Sequence, residues 1–269
     1  MKKLFLVSFI TLLAFATSSF AKDISAYLTG KYIDEKSVKE KLANAGFEVV
    51  ASYESVKKGT TIVFTNSALK KEAAKEGRAF AAVLRVFVDA KDKMISFTNP
   101  EYFGIAYMQD DYKASVFESQ LKVINKEFRG LKGSKDILED DDIAGYHFMM
   151  GMPYYEDYDT LAKGSNEELL AKAKSYKKGK LLLFEIKLSD NSTLLGYDLG
   201  RRTKKFVKKI GRANGAVLPY CISIENGEAK SLEAKYYLAL SYPLLSMGEF
   251  TTIASVPGAI KKDLSKPFK

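Results

Sequence analysis

Gly77-Arg78-Ala79-Phe80-Ala81-Ala82-Val83-Leu84-Arg85-Val86-Phe87-Val88 returns 134 residues later as Gly211-Arg212-Ala213-Asn214-Gly215-Ala216-Val217-Leu218-Pro219-Tyr220-Cys221-Ile222. The register extends both ways without a gap. Lys70, Lys71 and Lys75 fall on Lys204, Lys205 and Lys209, and Tyr102 falls on Tyr236. Residues 70–103 and 204–237 share ten identities in 34 positions. Chance would supply about two or three, so an internal duplication is expected. Two copies are too few for a solenoid and suit a pair of similar domains packed in pseudo-twofold fashion.

Each copy carries the same order of elements. In the first, 26–33 reads as a Tyr-rich strand and 35–44 as a helix stopped by Gly46. Strands follow over 47–53 and 60–65, turning at Lys57-Lys58-Gly59. A short helix over 68–76, a hairpin of 81–89 with 94–98 ended by Asn99-Pro100, and an amphipathic helix over 115–128 complete it. The second copy reads as a strand over 146–154, a helix over 166–176, and strands over 181–188 and 193–197. A helix over 201–210 follows, then a hairpin of 216–224 with 229–233 around Glu225-Asn226-Gly227, an Asn-Gly turn signal. Pro257-Gly258 is expected to interrupt a weak final helix. Strands dominate and helices cover one face of each sheet. The expected fold class is therefore α+β, two tandem two-layer α/β sandwich domains.

The chain has 269 residues, 46% hydrophobic and 28% charged, a composition that excludes a disordered or collagen-like chain. One Cys excludes an intramolecular disulfide, and one His excludes a His-based metal cluster. Met1-Lys2-Lys3, the apolar run 4–16 and Ser19-Phe20-Ala21 have the layout of a secretory signal peptide. Cleavage is expected after Ala21, placing the mature chain in a periplasm. The 13-residue apolar run is shorter than the about 20 residues a spanning helix needs. No later stretch approaches that length. Cys221 would then sit, buried and unpaired, in an oxidising compartment.

Phe64-Thr65-Asn66-Ser67, Ala82-Val83-Leu84-Arg85-Val86-Phe87-Val88 and Thr98-Asn99-Pro100-Glu101-Tyr102-Phe103 resemble motifs of the bacterial domain of unknown function 302. That family shows a Phe-Gly-Asn-Pro-like turn, a Leu-Pro-containing strand and an Asn-Asp-Pro-x-Tyr-Leu-like close. The first copy departs at Thr65, Ser67 and Arg85. The second keeps Leu218-Pro219 and replaces the Asn-Pro turn with Glu233-Ala234-Lys235. The resemblance covers about residues 35–108 and, more weakly, 166–242. It implies a compact α/β sandwich, similar in outline to half of a TATA-binding-protein saddle, and no established activity. The likeness to a DNA-binding saddle is one of fold only, and an exported protein is not expected to meet nucleic acid.

Charge is distributed unevenly. Residues 22–135 carry 20 basic and 15 acidic residues, net +5; 136–159 carry eight acidic and no basic, net −8; 160–269 carry 20 basic and 10 acidic, net +10. The densest basic stretch holds Arg201, Arg202, Lys204, Lys205, Lys208, Lys209 and Arg212. On a helix Thr203, Phe206, Val207 and Ile210 share the opposite, inward face. An anionic lipid surface, an acidic partner or a polyanionic polymer would relieve the repulsion among these cations. So would the chain's own acidic junction, Glu139-Asp140-Asp141-Asp142 with Glu156, Asp157 and Asp159, and its docking on the basic helix is the simplest expectation. Calcium binding by that junction is the alternative, although it lacks the EF-hand spacing.

Enzyme signatures are absent. No Gly-x-Ser-x-Gly elbow, dinucleotide fingerprint or phosphate loop occurs, and no cofactor or metal is expected. His147 is isolated, and Met149, Met150 and Met152 are expected to pack in the core. The expected function is ligand or partner binding in the cleft between the copies, where inter-domain grooves favour sites. Asn66, Arg78, Asn99 and Arg212 are the candidate ligand contacts: two equivalent arginines beyond helix ends and two asparagines in turns. The rival function is electrostatic attachment to an anionic envelope surface through the 201–212 helix.

Overall fold

The computed structural model describes residues 21–269, so most of the expected signal segment lies outside the described residues. The first half runs β1 (Asp23–Ser25), β2 (Tyr27–Lys31), α1 (Glu35–Asn44), β3 (Glu48–Val56), β4 (Gly59–Thr65), α2 (Ser67–Ala73), β5 (Leu84–Asp89), β6 (Met94–Thr98), α3 (Pro100–Met108) and α4 (Ala114–Glu127). A junction of β7 (Lys132–Gly133), β8 (Ile137–Glu139) and α5 (Asp140–Ile143) follows. The second half runs β9 (Asp159–Lys163), α6 (Asn166–Ser175), β10 (Leu182–Lys187), β11 (Ser192–Tyr197), β12 (Tyr220–Glu225), β13 (Glu228–Ser231), α7 (Ala234–Ser241), α8 (Met247–Thr252) and α9 (Val256–Ser265).

The chain is mixed α and β, with antiparallel sheets. One sheet has the order β3-β4-β5-β6-β2-β7, a second β10-β11-β12-β13-β9, and β1 with β8 forms a two-stranded third. The five shared strands therefore correspond one for one. Local chemistry explains the elements. Asp34 caps α1 by accepting from the Ser37 N–H at 3.0 Å, while Val38 and Leu42 are buried and α1 packs on β3 and β4. In the second half Ser165 and Glu168 form a reciprocal cap on α6, which packs on β12 and β13.

The halves interlock. The 3-10 turn Ala79–Ala82 packs on β11 and β12, and the turn Arg212–Val217, its counterpart by register, packs on β4, β5 and β6. Every residue of β5 and β12 is buried; the Arg212–Val217 turn of the second half packs on β5, and α6 and the Ala79–Ala82 turn pack on β12. The Phe87 ring lies between two glycines from different halves. A Cβ at Gly59 would come within 2.5 Å of it, and one at Gly215 within 2.4 Å, so both positions need the missing side chain. Thr61 Oγ1 donates to the Gly215 carbonyl at 3.0 Å beside this contact.

Four expectations are corrected. No strand forms over 146–154; the first strand of the second half is β9, and Gly151 takes φ +82°, which breaks extension. The methionines there are not core: Met150 is 93% exposed and Met149 44%. Asn99-Pro100 and Glu233-Ala234 begin helices, α3 and α7, that sequence reading missed. Both are buried almost all round and carry no amphipathic stripe to reveal them. Pro257 sits in the first turn of α9 and starts that helix instead of interrupting it, since no hydrogen bond is lost there.

Candidate functional site

Two hairpin turns of the first half and the basic segment of the second surround a groove of about 490 Å³. Lys57 and Lys58 come from the β3–β4 turn, Lys91 from the β5–β6 turn, and Lys208 and Arg212 from the second half. The position of the turns follows from the interlock just described: Gly215 under Phe87 brings the Arg212 segment against β5 and β6. A neighbouring hollow of about 370 Å³ shares Lys57 and Lys208 and adds Arg201, Lys204 and Lys205.

The 201–210 stretch turns as a 3-10 helix over Thr203–Lys208. Phe206 and Val207 are buried and Ile210 half-buried, so the expected inward face is correct, and Arg201, Arg202, Lys205, Lys208 and Lys209 are exposed. Their counter-charges are few. Lys204 Nζ lies 2.8 Å from Asp198, and Arg212 Nε lies 2.7 Å from Asp89. Lys209 Nζ donates to the Thr252 carbonyl at 2.8 Å. Among the described residues, the side-chain cations of Lys57, Lys58, Arg201, Lys205 and Lys208 have no carboxylate within 4.0 Å. Glu54 borders the hollow, but its carboxylate accepts from the Lys58 N–H at 2.8 Å.

The acidic junction does not supply the missing charge, which corrects the expectation that it docks on the basic helix. Asp140 accepts from the Lys22 N–H at 2.9 Å, Glu156 reaches Arg78 at 4.0 Å, and Asp159 pairs with Lys261 at 2.6 Å. The reason is topological: β8 pairs with β1, which ties the start of the junction to the first half. Among the described residues, no three Cys, His, Asp or Glu side chains converge as a metal ion would require.

The four candidate contacts separate. Arg212 alone lines the groove. Its guanidinium bridges the halves, donating from Nη2 to Asp89 Oδ1 at 2.8 Å. Arg78 pairs with Asp111 at 3.1 Å and lies 5.7 Å over the Tyr155 ring. Asn66 caps α2 by accepting from the Leu69 N–H at 3.0 Å, and its amide donates to Gln120 at 2.6 Å. Asn99 caps α3 by accepting from the Glu101 N–H at 3.1 Å and donates to the Ser25 carbonyl at 2.8 Å. Asn66→Ala and Asn99→Ala should therefore each cost about 1 kcal/mol of stability in chemical denaturation. Affinity for any ligand of the groove should stay within about twofold in either variant, since neither side chain lines it.

Sequence reasoning missed Lys57, Lys58 and Lys91 because it read their segments as turns only. The turn residues themselves were the available signal, since turn tips of one half can line the other half's helix only after the halves pack. No protein-family model matches this chain, and no match was found among curated proteins or among solved structures.

Proposed function

We propose that this is an exported, non-enzymatic protein that binds a compact polyanion, a small molecule bearing several phosphate or sulfate groups, in the basic groove between its halves. One observation carries this reading. Lys57, Lys58 and Lys208 line the groove, Arg201 and Lys205 line the neighbouring hollow that shares Lys57 and Lys208 with it, and none of these five side-chain cations has a carboxylate within 4.0 Å among the described residues. Cations so placed repel one another, and a multivalent anion turns that cost into binding free energy. The groove volume of about 490 Å³ falls inside the range of small-molecule sites. A planar membrane meets convex faces better than a hollow, which favours the discrete ligand over envelope attachment. No helix among the described residues is long and apolar enough to cross a membrane.

Export rests on residues 1–21 and places the protein in the periplasm. Tandem duplication rests on the 134-residue register and is supported by the matching strand orders of the two sheets. The relationship to the domain of unknown function 302 rests on the turn and strand motifs alone.

Calorimetric titration with inositol hexakisphosphate tests the reading. Affinity should fall steeply between about 0.05 and 0.3 M salt, because the lysines are exposed and screened. Anionic phosphatidylglycerol vesicles should bind more weakly at every salt concentration. Tighter binding to vesicles than to the soluble polyanion would favour envelope attachment and sink the proposal.

A further inference from the structure

Arg85 is a buried charge at the contact of the halves that the groove does not use. It lies on β5, is only 5% exposed, and stands by register opposite Pro219 of the second half. Its Nη2 donates to the Pro219 carbonyl at 3.3 Å and to Cys221 Sγ at 3.1 Å, while Nε is buried with no partner. No carboxylate lies within 4.0 Å of the guanidinium among the described residues. Phe80, Tyr107, Tyr220, Leu232 and Tyr237 line a small cavity with Arg85 and Cys221.

The neighbours do not neutralise this charge. The Tyr220 hydroxyl donates to the Leu232 carbonyl at 3.2 Å, and the Tyr237 hydroxyl to the Val217 carbonyl at 2.8 Å. Burial pushes the Cys221 thiol up, and the opposing pull of Arg85 does not overcome it, so Cys221 is neutral at pH 7. A guanidinium keeps its proton throughout the accessible pH range. A buried, uncompensated cation is among the most unfavourable arrangements in a protein interior. The orphan Nε adds an unmet donor to it. The Tyr53 hydroxyl is a second buried donor without a partner, within electrostatic reach of both Arg85 and Cys221.

We propose that the Arg85 cavity binds one halide-sized monovalent anion, held by the Arg85 guanidinium between the two halves. Size selects the class. The cavity has room for about one water-sized body. A halide is the stable anion that comes nearest to that size, whereas carboxylates and phosphates exceed it further. Both halves contribute, Arg85 from β5 and Cys221 from β12, so the anion stabilises their contact as well as the charge.

Thermal unfolding of the full chain at constant ionic strength tests this, with gluconate replaced stepwise by chloride, bromide or acetate. Once the site is filled, a ligand specific to the folded state raises the midpoint by about 3–5 °C per tenfold increase in its concentration. Chloride and bromide should do this and acetate should not. Arg85→Met should abolish the halide dependence. Should that variant not fold, bromide-soaked crystals of the wild-type protein supply the second measurement, with anomalous scattering expected beside Arg85 Nε. The combined Lys57→Glu, Lys205→Glu and Lys208→Glu protein should keep the wild-type halide response, which separates this site from the groove. The proposal is overturned by a halide-independent wild type, by bromide found only among the surface lysines, or by a response lost with the groove charges. Thiolate absorbance from Cys221 at pH 7 would also overturn it, by making Cys221 the counter-ion.

Discussion

Reversing Lys57, Lys205 and Lys208 to Glu together should weaken binding of inositol hexakisphosphate by at least about 100-fold. A basic side chain near an anionic group contributes about 1 kcal/mol. Removing three therefore costs about 3 kcal/mol, and every 1.4 kcal/mol is tenfold in affinity. The three new carboxylates add repulsion on top. The slope of affinity against salt should flatten in parallel, because fewer ion contacts remain to be screened. The unliganded variant should be as stable as the wild type or more so, since the substitutions relieve repulsion among cations with no carboxylate in reach. Loss of binding with a raised unfolding midpoint would separate a used groove from a misfolded protein. Retained affinity would show that the lysines form only a solvated surface.

Asp89→Ala should be the most destabilising single change at the contact between halves, at about 3–5 kcal/mol. Asp89 is fully buried at the end of β5. Its Oδ1 accepts from the Lys91 and Asp92 N–H groups at 2.8 and 3.1 Å, and from Arg212 Nη2 at 2.8 Å. Alanine removes the acceptor for a turn and leaves Arg212, partly buried, with only the more distant Asp92 carboxylate at 3.7 Å. At about 2–4 °C per kcal/mol for a chain this long, the midpoint should fall by roughly 6–20 °C. Asp89→Asn keeps an acceptor for the turn amides and should lose less. The difference between the two variants isolates the charge.

The same pair predicts acid lability. Burial alone would raise the Asp89 carboxyl, but Arg212 and the amides of Asp92 and Lys91 outweigh it and hold it below the usual range. A carboxyl depressed in the folded state stabilises fully above its unfolded pKa, about 3.9. That contribution disappears as pH falls through the lower folded value. Unfolding monitored below about pH 4 should therefore show a steeper loss in the wild type than in Asp89→Asn. Equal slopes would mean that the bridge contributes little.

The chain's local signals were written where local chemistry acts. Asp34 before Glu35 and Gly46 after Asn44 mark α1 because a cap and a left-handed stop need only neighbouring residues. The Asn226-Gly227 turn marks the β12–β13 hairpin for the same reason. The basic segment 201–212 was legible as charge on one face and Phe206 and Val207 on the other. The helices α3 and α7 were hidden because a helix buried all round has no pattern to read.

The site was only half legible. Arg212 and the 201–209 cations can be found by counting charges, so the sequence alone determined that one region would be strongly basic. It also marked much of the order of strands and helices, since their periodicities are local properties, though it misplaced the first strand of the second half and missed α3 and α7. Only the tertiary structure decided what those cations meet. The acidic junction was the nearest counter-charge along the chain, yet β8 pairs with β1 and carries it toward the first half. Lys57, Lys58 and Lys91 are more than a hundred residues from Lys208, and the packing of the Gly215 turn against Phe87 places them around one hollow. Arg85 reads as a polar residue in an apolar strand, and only the opposing half turns it into a buried cation facing Pro219 and Cys221. Charge along a chain is fixed by covalent order, whereas the neutralisation of charge depends on distance in space, and folding alone sets that.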